Sequence, residues 1–188
     1  KDVSVVIAPS MPHLSGVHQA LNTITEQAIR KRLRLAAQDV SPFAPGAYTG
    51  DVSSEQLVDA GVSFIIIGHS DRRQMRNETN KIVNLKIERA LNDGFSVIVG
   101  IGELLVDRET GQSEKALQTQ ITESLAGLTA EQMDQVILLY EPVWAIGTGK
   151  SVDLVAVDKT MRFVRGLIFE KYGFETAAKV LILYGGSV

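Results

Sequence analysis

The sequence predicts an α/β fold built on a parallel sheet, and three observations carry that reading. Short apolar runs recur along the chain, most of them are continuous rather than alternating, and amphipathic stretches of helical length lie between them. The runs occupy residues 3–8, 33–37, 64–67, 96–101, 136–140 and 180–184. Their starts are roughly 30 to 45 residues apart, about one strand-plus-helix unit. Continuous apolar runs suit strands covered on both faces.

The intervening helices are justified one by one. Residues 80–92 place Ile82, Val83, Leu85, Ile87, Ala90 and Leu91 near helical spacing, with Lys81, Lys86, Glu88 and Arg89 between them. Gly94 follows as a C-terminal stop. Stretches 112–125 and 155–172 show the same period, and Ser53-Ser54-Glu55-Gln56 reads as a helix start. No linker, low-complexity tract or break in composition divides the 188 residues, so residues 1–188 are expected to form a single domain.

Composition removes several function classes. The chain is 45% hydrophobic and 22% charged, which excludes a disordered chain. It has no cysteine, which excludes a disulfide scaffold and thiolate zinc sites. Apolar runs such as Phe64-Ile65-Ile66-Ile67 are far shorter than the ~20 residues of a membrane span. A net charge of -3 argues against a nucleic-acid binder, which usually presents a basic face. These features point to an intracellular, cytoplasmic protein. The chain opens on Lys1-Asp2-Val3 and stops at Ser187-Val188, just after a strand-like run, so a fragment cut at both ends is expected.

Two closures of the sheet compete, an open doubly wound sheet and a (β/α)8 barrel seen in part. No GxGxxG follows the first strand, which weakens the dinucleotide-binding sheet. Gly147-Thr148-Gly149-Lys150-Ser151 resembles the end of a phosphate loop, but the full pattern needs glycine where Trp144 stands. The barrel is favoured, and its active site belongs at the C-terminal ends of the strands. Those ends carry Ser10, Gln38-Asp39, His69-Ser70, Gly102-Glu103, Glu141-Pro142 and Gly185-Gly186-Ser187.

One imidazole and two carboxylates on one rim suit proton transfer, with a carboxylate as base and His69 polarising a carbonyl. Each also has a plainer reading: His69 as a hydrogen-bonded core residue, Glu141 as part of a strand-ending turn, Glu103 as a brace. Their convergence beside glycine-rich loops favours catalysis. Segment 145–150 suits a mobile lid, and backbone N–H groups there and at 185–187 suit an anion. Arg72 and Arg73 either hold phosphate or brace the loop through salt bridges. His13 and His18 belong to a helix start and its solvated face.

In this order and spacing, segments 67–73, 140–150 and 184–188, with 37–40 and 46–50, resemble the triosephosphate isomerase family. The resemblance runs from the family's second strand through its seventh. It implies an incomplete TIM barrel lacking the first and eighth βα units. It also implies interconversion of dihydroxyacetone phosphate and D-glyceraldehyde 3-phosphate in glycolysis and gluconeogenesis, without metal or organic cofactor. By this resemblance Glu141 is the base and His69 the neutral imidazole that polarises the carbonyl. Glu103 supports them from nearby, and Trp144 is part of the lid hinge. Gly147 and Ser187 donate backbone N–H groups to the substrate phosphate. A homodimer is implied, with loop 41–51 entering the neighbouring subunit and Thr49 near its tip.

The chain departs from the family pattern in several places. The family's Asn-x-Lys motif of the first strand has no counterpart here. Asp71 and Asp51 stand where the family usually has Glu, Asp39 where it has Asn, and Gly100 where Cys is common. Six strands leave two open edges, so the 188 residues alone are expected to fold poorly and to be essentially inactive. Two other readings compete: a non-catalytic barrel fragment, and another phosphate-binding barrel such as a pentose-phosphate epimerase.

Overall fold

The computed structural model describes residues 3–146 and 153–186. It contains six strands: β1 (Val5–Ile7), β2 (Leu33–Ala37), β3 (Phe64–Ile67), β4 (Ser96–Ile101), β5 (Val136–Tyr140) and β6 (Leu181–Tyr184). Between them run α1 (Leu14–Asn22), α2 (Gln27–Arg30), α3 (Ser54–Asp59), α4 (Ser70–Met75), α5 (Asn80–Asn92), α6 (Leu105–Glu109), α7 (Ser113–Ser124), α8 (Leu154–Tyr172) and α9 (Phe174–Lys179). The strands follow one another in the sheet in chain order. The pairings of β1 with β2, β2 with β3 and β5 with β6 are parallel. A doubly wound sheet reverses its strand order at a switch point, and this order never reverses. The fold is therefore an incomplete (β/α)8 barrel, with six of the eight strands.

The chain divides into two compact units, residues 1–67 with 85–97 and residues 68–84 with 98–188. In the first, Leu35, Ala36, Ala37, Leu57, Ile65 and Ile87 form a buried core. The expected start of α3 is a full capping box. The Ser53 hydroxyl accepts from the Gln56 backbone N–H at 3.4 Å, while the Gln56 side-chain Oε1 accepts from the Ser53 N–H at 2.9 Å. The end of α5 is equally local: Gly94 adopts φ +85, a conformation that favours glycine, and the Phe95 N–H returns to the Ala90 carbonyl at 3.0 Å.

In the second unit, Ile101, Leu117, Ile121, Leu138, Val164 and Ile168 are buried together as its core. Helix α8 begins where the Asp153 carboxylate accepts from the Val155 N–H and ends at Gly173, φ +84. Residues 97–101 of β4 are all buried, as two-sided cover requires, but β5 and β6 alternate between better and worse covered positions. An apolar run does not report how well its second face is covered, and β6, last in the sheet order, has Leu181 and Leu183 exposed. Among the described residues, no helix is long and apolar enough to cross a membrane.

Candidate active site

The residues of the rim follow directly from where the apolar strands stop. After β3, Gly68 takes φ +69 and turns the chain so that His69 becomes the N-cap of α4. After β5, the Glu141 N–H still donates to the Ile101 carbonyl at 2.9 Å, which fixes the Glu141 backbone one residue beyond the strand. Gly102 lies beside it so closely that a Cβ there would sit 1.8 Å from the Glu141 carbonyl oxygen. Only glycine fits at that point.

This arrangement brings His69 Nε2 to 3.3 Å from Glu141 Oε1. The Asp71 N–H donates to His69 Nδ1 at 3.2 Å, so Nδ1 is the acceptor and the proton sits on Nε2, facing the carboxylate. The hydrogen bond to Glu141 raises the imidazole pKa; burial works against it, and the charges of Glu141 and Asp71 add to the rise. The carboxylate side chain is 7% exposed and the imidazole 34%, so a sheltered carboxylate meets a more accessible imidazole. Chemically, the pair can remove a proton from a carbon acid while donating a hydrogen bond to the oxygen that gains charge.

Glu103, 2% exposed, stands behind this pair. Its Oε1 accepts from the Tyr140 hydroxyl at 3.1 Å and from the Trp144 indole N–H at 2.8 Å. Burial and the neighbouring Glu103 charge push the Tyr140 phenol well above its ordinary pKa, so it remains a donor. The Arg108 guanidinium lies over the other side of Trp144, 4.1 Å from the ring centre. The indole, in the 3₁₀ turn Val143–Ala145, is thus held by an anion at its edge and a cation on its face.

Residues 1–188 match the sequence profile of the family described as triosephosphate isomerase. The chain is 42% identical over 188 residues to triosephosphate isomerase of Trichlorobacter lovleyi, covering 100% of this chain and 72% of that protein. It is 41% identical over 187 residues to that of Alkaliphilus oremlandii (100% and 73%) and 45% identical over 186 residues to that of Citrifermentans bemidjiense (99% and 71%). The chain belongs to the triosephosphate isomerase family. Neither a pentose-phosphate epimerase nor a non-catalytic barrel is favoured beside that match.

The remaining sequence candidates of this triosephosphate isomerase family chain take structural places. Arg72 pairs with Glu78, Nη2 to Oε1 at 2.7 Å, and Arg73 spends its N–H groups on carbonyl oxygens, so both act as braces. His13 closes the turn before α1 on the Ser10 hydroxyl, and His18 takes a hydrogen bond from Asn22 on the same helix, as expected of a helix start and its face. Asp71 keeps its carboxylate 67% exposed and 3.7 Å from His69 Nδ1. Asp51 accepts from the Ser41 hydroxyl at 2.7 Å and closes loop 41–51, where the exposed rings of Phe43 and Tyr48 stack at 4.5 Å.

Gly147 and Ser187, expected to bind phosphate, and most of the expected lid lie outside the described residues. Among the described residues, no group of three or more His, Asp or Glu is placed to hold a metal ion. The Glu103–Trp144–Arg108 sandwich was only half legible from sequence. The sequence marks Glu103 as a support, whereas Arg108, in the short helix Leu105–Glu109, carries no signal that it reaches an aromatic face.

Proposed function

We propose that His69 and Glu141 are the catalytic pair of an aldose–ketose isomerase that interconverts dihydroxyacetone phosphate and D-glyceraldehyde 3-phosphate. The observation that carries the reading is the 3.3 Å approach of a donating Nε2 to a buried Glu141 oxygen. A substrate carbonyl entering between them takes the hydrogen bond from Nε2, and Glu141 removes the proton from the adjacent carbon. The electron pair of that C–H bond forms the carbon–carbon double bond of an enediolate, whose oxygen His69 stabilises. The hydroxyl proton of the first carbon passes by way of His69 to the second oxygen, and return of the abstracted proton from Glu141 to the neighbouring carbon completes the isomerisation. Glu141 is regenerated, and no net oxidation occurs.

On this reading the backbone N–H groups of Gly147 and Ser187 hold the phosphate, and closure of the lid keeps water from the enediolate. Trp144, pinned by Glu103 and Arg108, anchors the near end of that lid. The stacked, exposed Phe43 and Tyr48 of loop 41–51 support a homodimer formed through that loop. We further read residues 1–188 as one partial barrel domain, working in the cytoplasm on a small phosphorylated substrate.

The test is an isomerase assay on this chain and on a form extended at both ends to the length of its relatives, each beside Glu141→Asp. The extended form should turn over glyceraldehyde 3-phosphate, and Glu141→Asp should lower kcat by roughly 10²-fold or more. The 188-residue chain should be nearly silent. A well-folded extended form without turnover would overturn the assignment.

A further inference from the structure

We infer that Arg73 is the positioning residue of the site: it fixes the peptide plane immediately ahead of His69 and so sets the reach of Nε2. The inference rests on the catalytic reading of His69 given above. Arg73 lies on α4 one turn after His69, and its side chain runs back to the start of the helix. Its Nε donates to the Gly68 carbonyl at 2.7 Å and to the Gly100 carbonyl at 3.3 Å, and Nη2 donates to Gly100 again at 3.1 Å. The Gly68 carbonyl belongs to the peptide bond whose nitrogen is that of His69. One cation therefore ties this peptide to the rim end of β4.

The surroundings fit that task. Nη1 donates to the Asn80 side-chain oxygen at 2.6 Å, and Nη2 reaches the Ser124 hydroxyl at 3.4 Å. Asn80 is held in turn, donating to the Glu123 carboxylate at 2.9 Å. With each of its nitrogens engaged, the guanidinium is built into a carbonyl cradle rather than turned toward an anion. Two glycines make the room. A Cβ at Gly68 would meet Arg73 Nη2 at 2.9 Å, and a Cβ at Gly100 would meet the Gly68 oxygen at 2.8 Å and His69 Cα at 3.0 Å. Burial lowers the Arg73 pKa to about 10, which leaves it cationic at neutral pH.

The mechanical consequence is specific. His69 holds its imidazole by one local contact on the far side, the Asp71 N–H on Nδ1. If the Gly68–His69 peptide tilts, the ring and its local contact turn together, and Nε2 leaves the line to Glu141. Substrate binding through phosphate is not affected, so the loss falls on kcat rather than KM. Gly100 takes part in the same device: without a Cβ it leaves the Gly68 carbonyl free to face the guanidinium.

The experiment compares Arg73→Met, Arg73→Lys, Gly68→Ala and Asn80→Ala in the enzyme extended to the length of its relatives. It measures kcat, KM and, by NMR, the titration of the His69 imidazole. Arg73→Met and Gly68→Ala should lower kcat by roughly 10²-fold, with KM within about threefold. Both should bring the His69 titration down, since its contact with Glu141 raises it. Arg73→Lys should recover part of kcat, and Asn80→Ala should change little. Where Arg73→Met fails to fold, Gly68→Ala and Arg73→Lys give the answer. Reduced stability with unchanged kcat and His69 titration would overturn the inference. A rise in KM alone would do the same, by making Arg73 a substrate contact. A parent enzyme with no turnover would remove the functional reading, and the His69 titration would still decide whether Arg73 positions the ring.

Discussion

The ammonium of Lys86 lies 2.6 and 2.8 Å from the two carboxylate oxygens of Asp39, just past the end of β2. Both side chains are largely buried, 5% and 16% exposed. The Asp39 carboxylate thus meets a buried cation. Removing one member of such a pair is costly because the other charge stays sheltered from water. Asp39→Ala should lower the unfolding free energy by ~3 kcal/mol. Asp39→Asn, whose oxygen can still accept from Lys86, should cost about 1 kcal/mol. Urea unfolding at neutral pH measures both, and an Asp39→Asn chain as stable as its parent would mean that the charge contributes nothing.

The His69–Glu141 contact makes a prediction about pH. The folded-state pKa of His69 is raised above the ordinary imidazole value, chiefly by its hydrogen bond to Glu141. The folded state therefore holds the proton more tightly than the unfolded chain. The resulting stability is complete below about pH 6.5 and fades as pH rises through the higher folded value. The melting-temperature difference between the parent and Glu141→Gln should be largest on the acid side and shrink toward alkaline pH. A difference that does not vary with pH would show that the contact has no protonic component.

Trp144 is the only tryptophan of the chain, so the clasp around it is directly visible by fluorescence. Glu103→Leu takes away the acceptor of the buried Tyr140 hydroxyl and of the half-buried Trp144 indole, and should cost roughly 3 kcal/mol. Its emission should shift as the indole N–H loses its anion. Arg108→Ala should leave stability within about 1 kcal/mol, because a partly exposed cation over a ring is worth little more. It should still change the emission intensity. Unaltered fluorescence in both variants would mean that the indole is not held as described.

At Gly102 the expectation is sharper. Alanine there would place its Cβ 1.8 Å from the Glu141 carbonyl oxygen, a backbone atom of a residue whose N–H is tied to the Ile101 carbonyl. Gly102→Ala should therefore be destabilising by more than ~3 kcal/mol or displace Glu141. Circular dichroism with thermal melting separates the two outcomes. A fully stable, fully active Gly102→Ala enzyme would refute the close approach.

Strands 33–37, 64–67, 96–101 and 136–140 and helix 80–92 appear with the bounds the apolar pattern indicates. They are strongly periodic or uniformly apolar, and their ends are marked by Gly94, His69 and the Glu141–Pro142 step. The outer strands are less legible. The runs 3–8 and 180–184 shrink to Val5–Ile7 and Leu181–Tyr184, because pairing with a neighbour, which composition does not encode, sets where a strand stops. At the site, His69, Glu141 and Glu103 were readable as polar residues following buried strands. The role of Arg73 was not, since phosphate binding and bracing draw on the same side chain. Only the positions of the Gly68 and Gly100 carbonyls separate the two.

Glu141 has main chain on two sides. Gly102 presses against the Glu141 backbone on one side, and on the other a Cβ at Gly185 would come within 3.4 Å of Glu141 Cγ and 3.6 Å of its Oε1. Neither wall has a side chain that substitution could trim to widen the chamber, and Gly102 leaves no room to add one. Attempts to retune this enzyme for bulkier sugars will find no handle there. New substrate range would have to come from the loops above the rim, while the seat of Glu141 stays as it is.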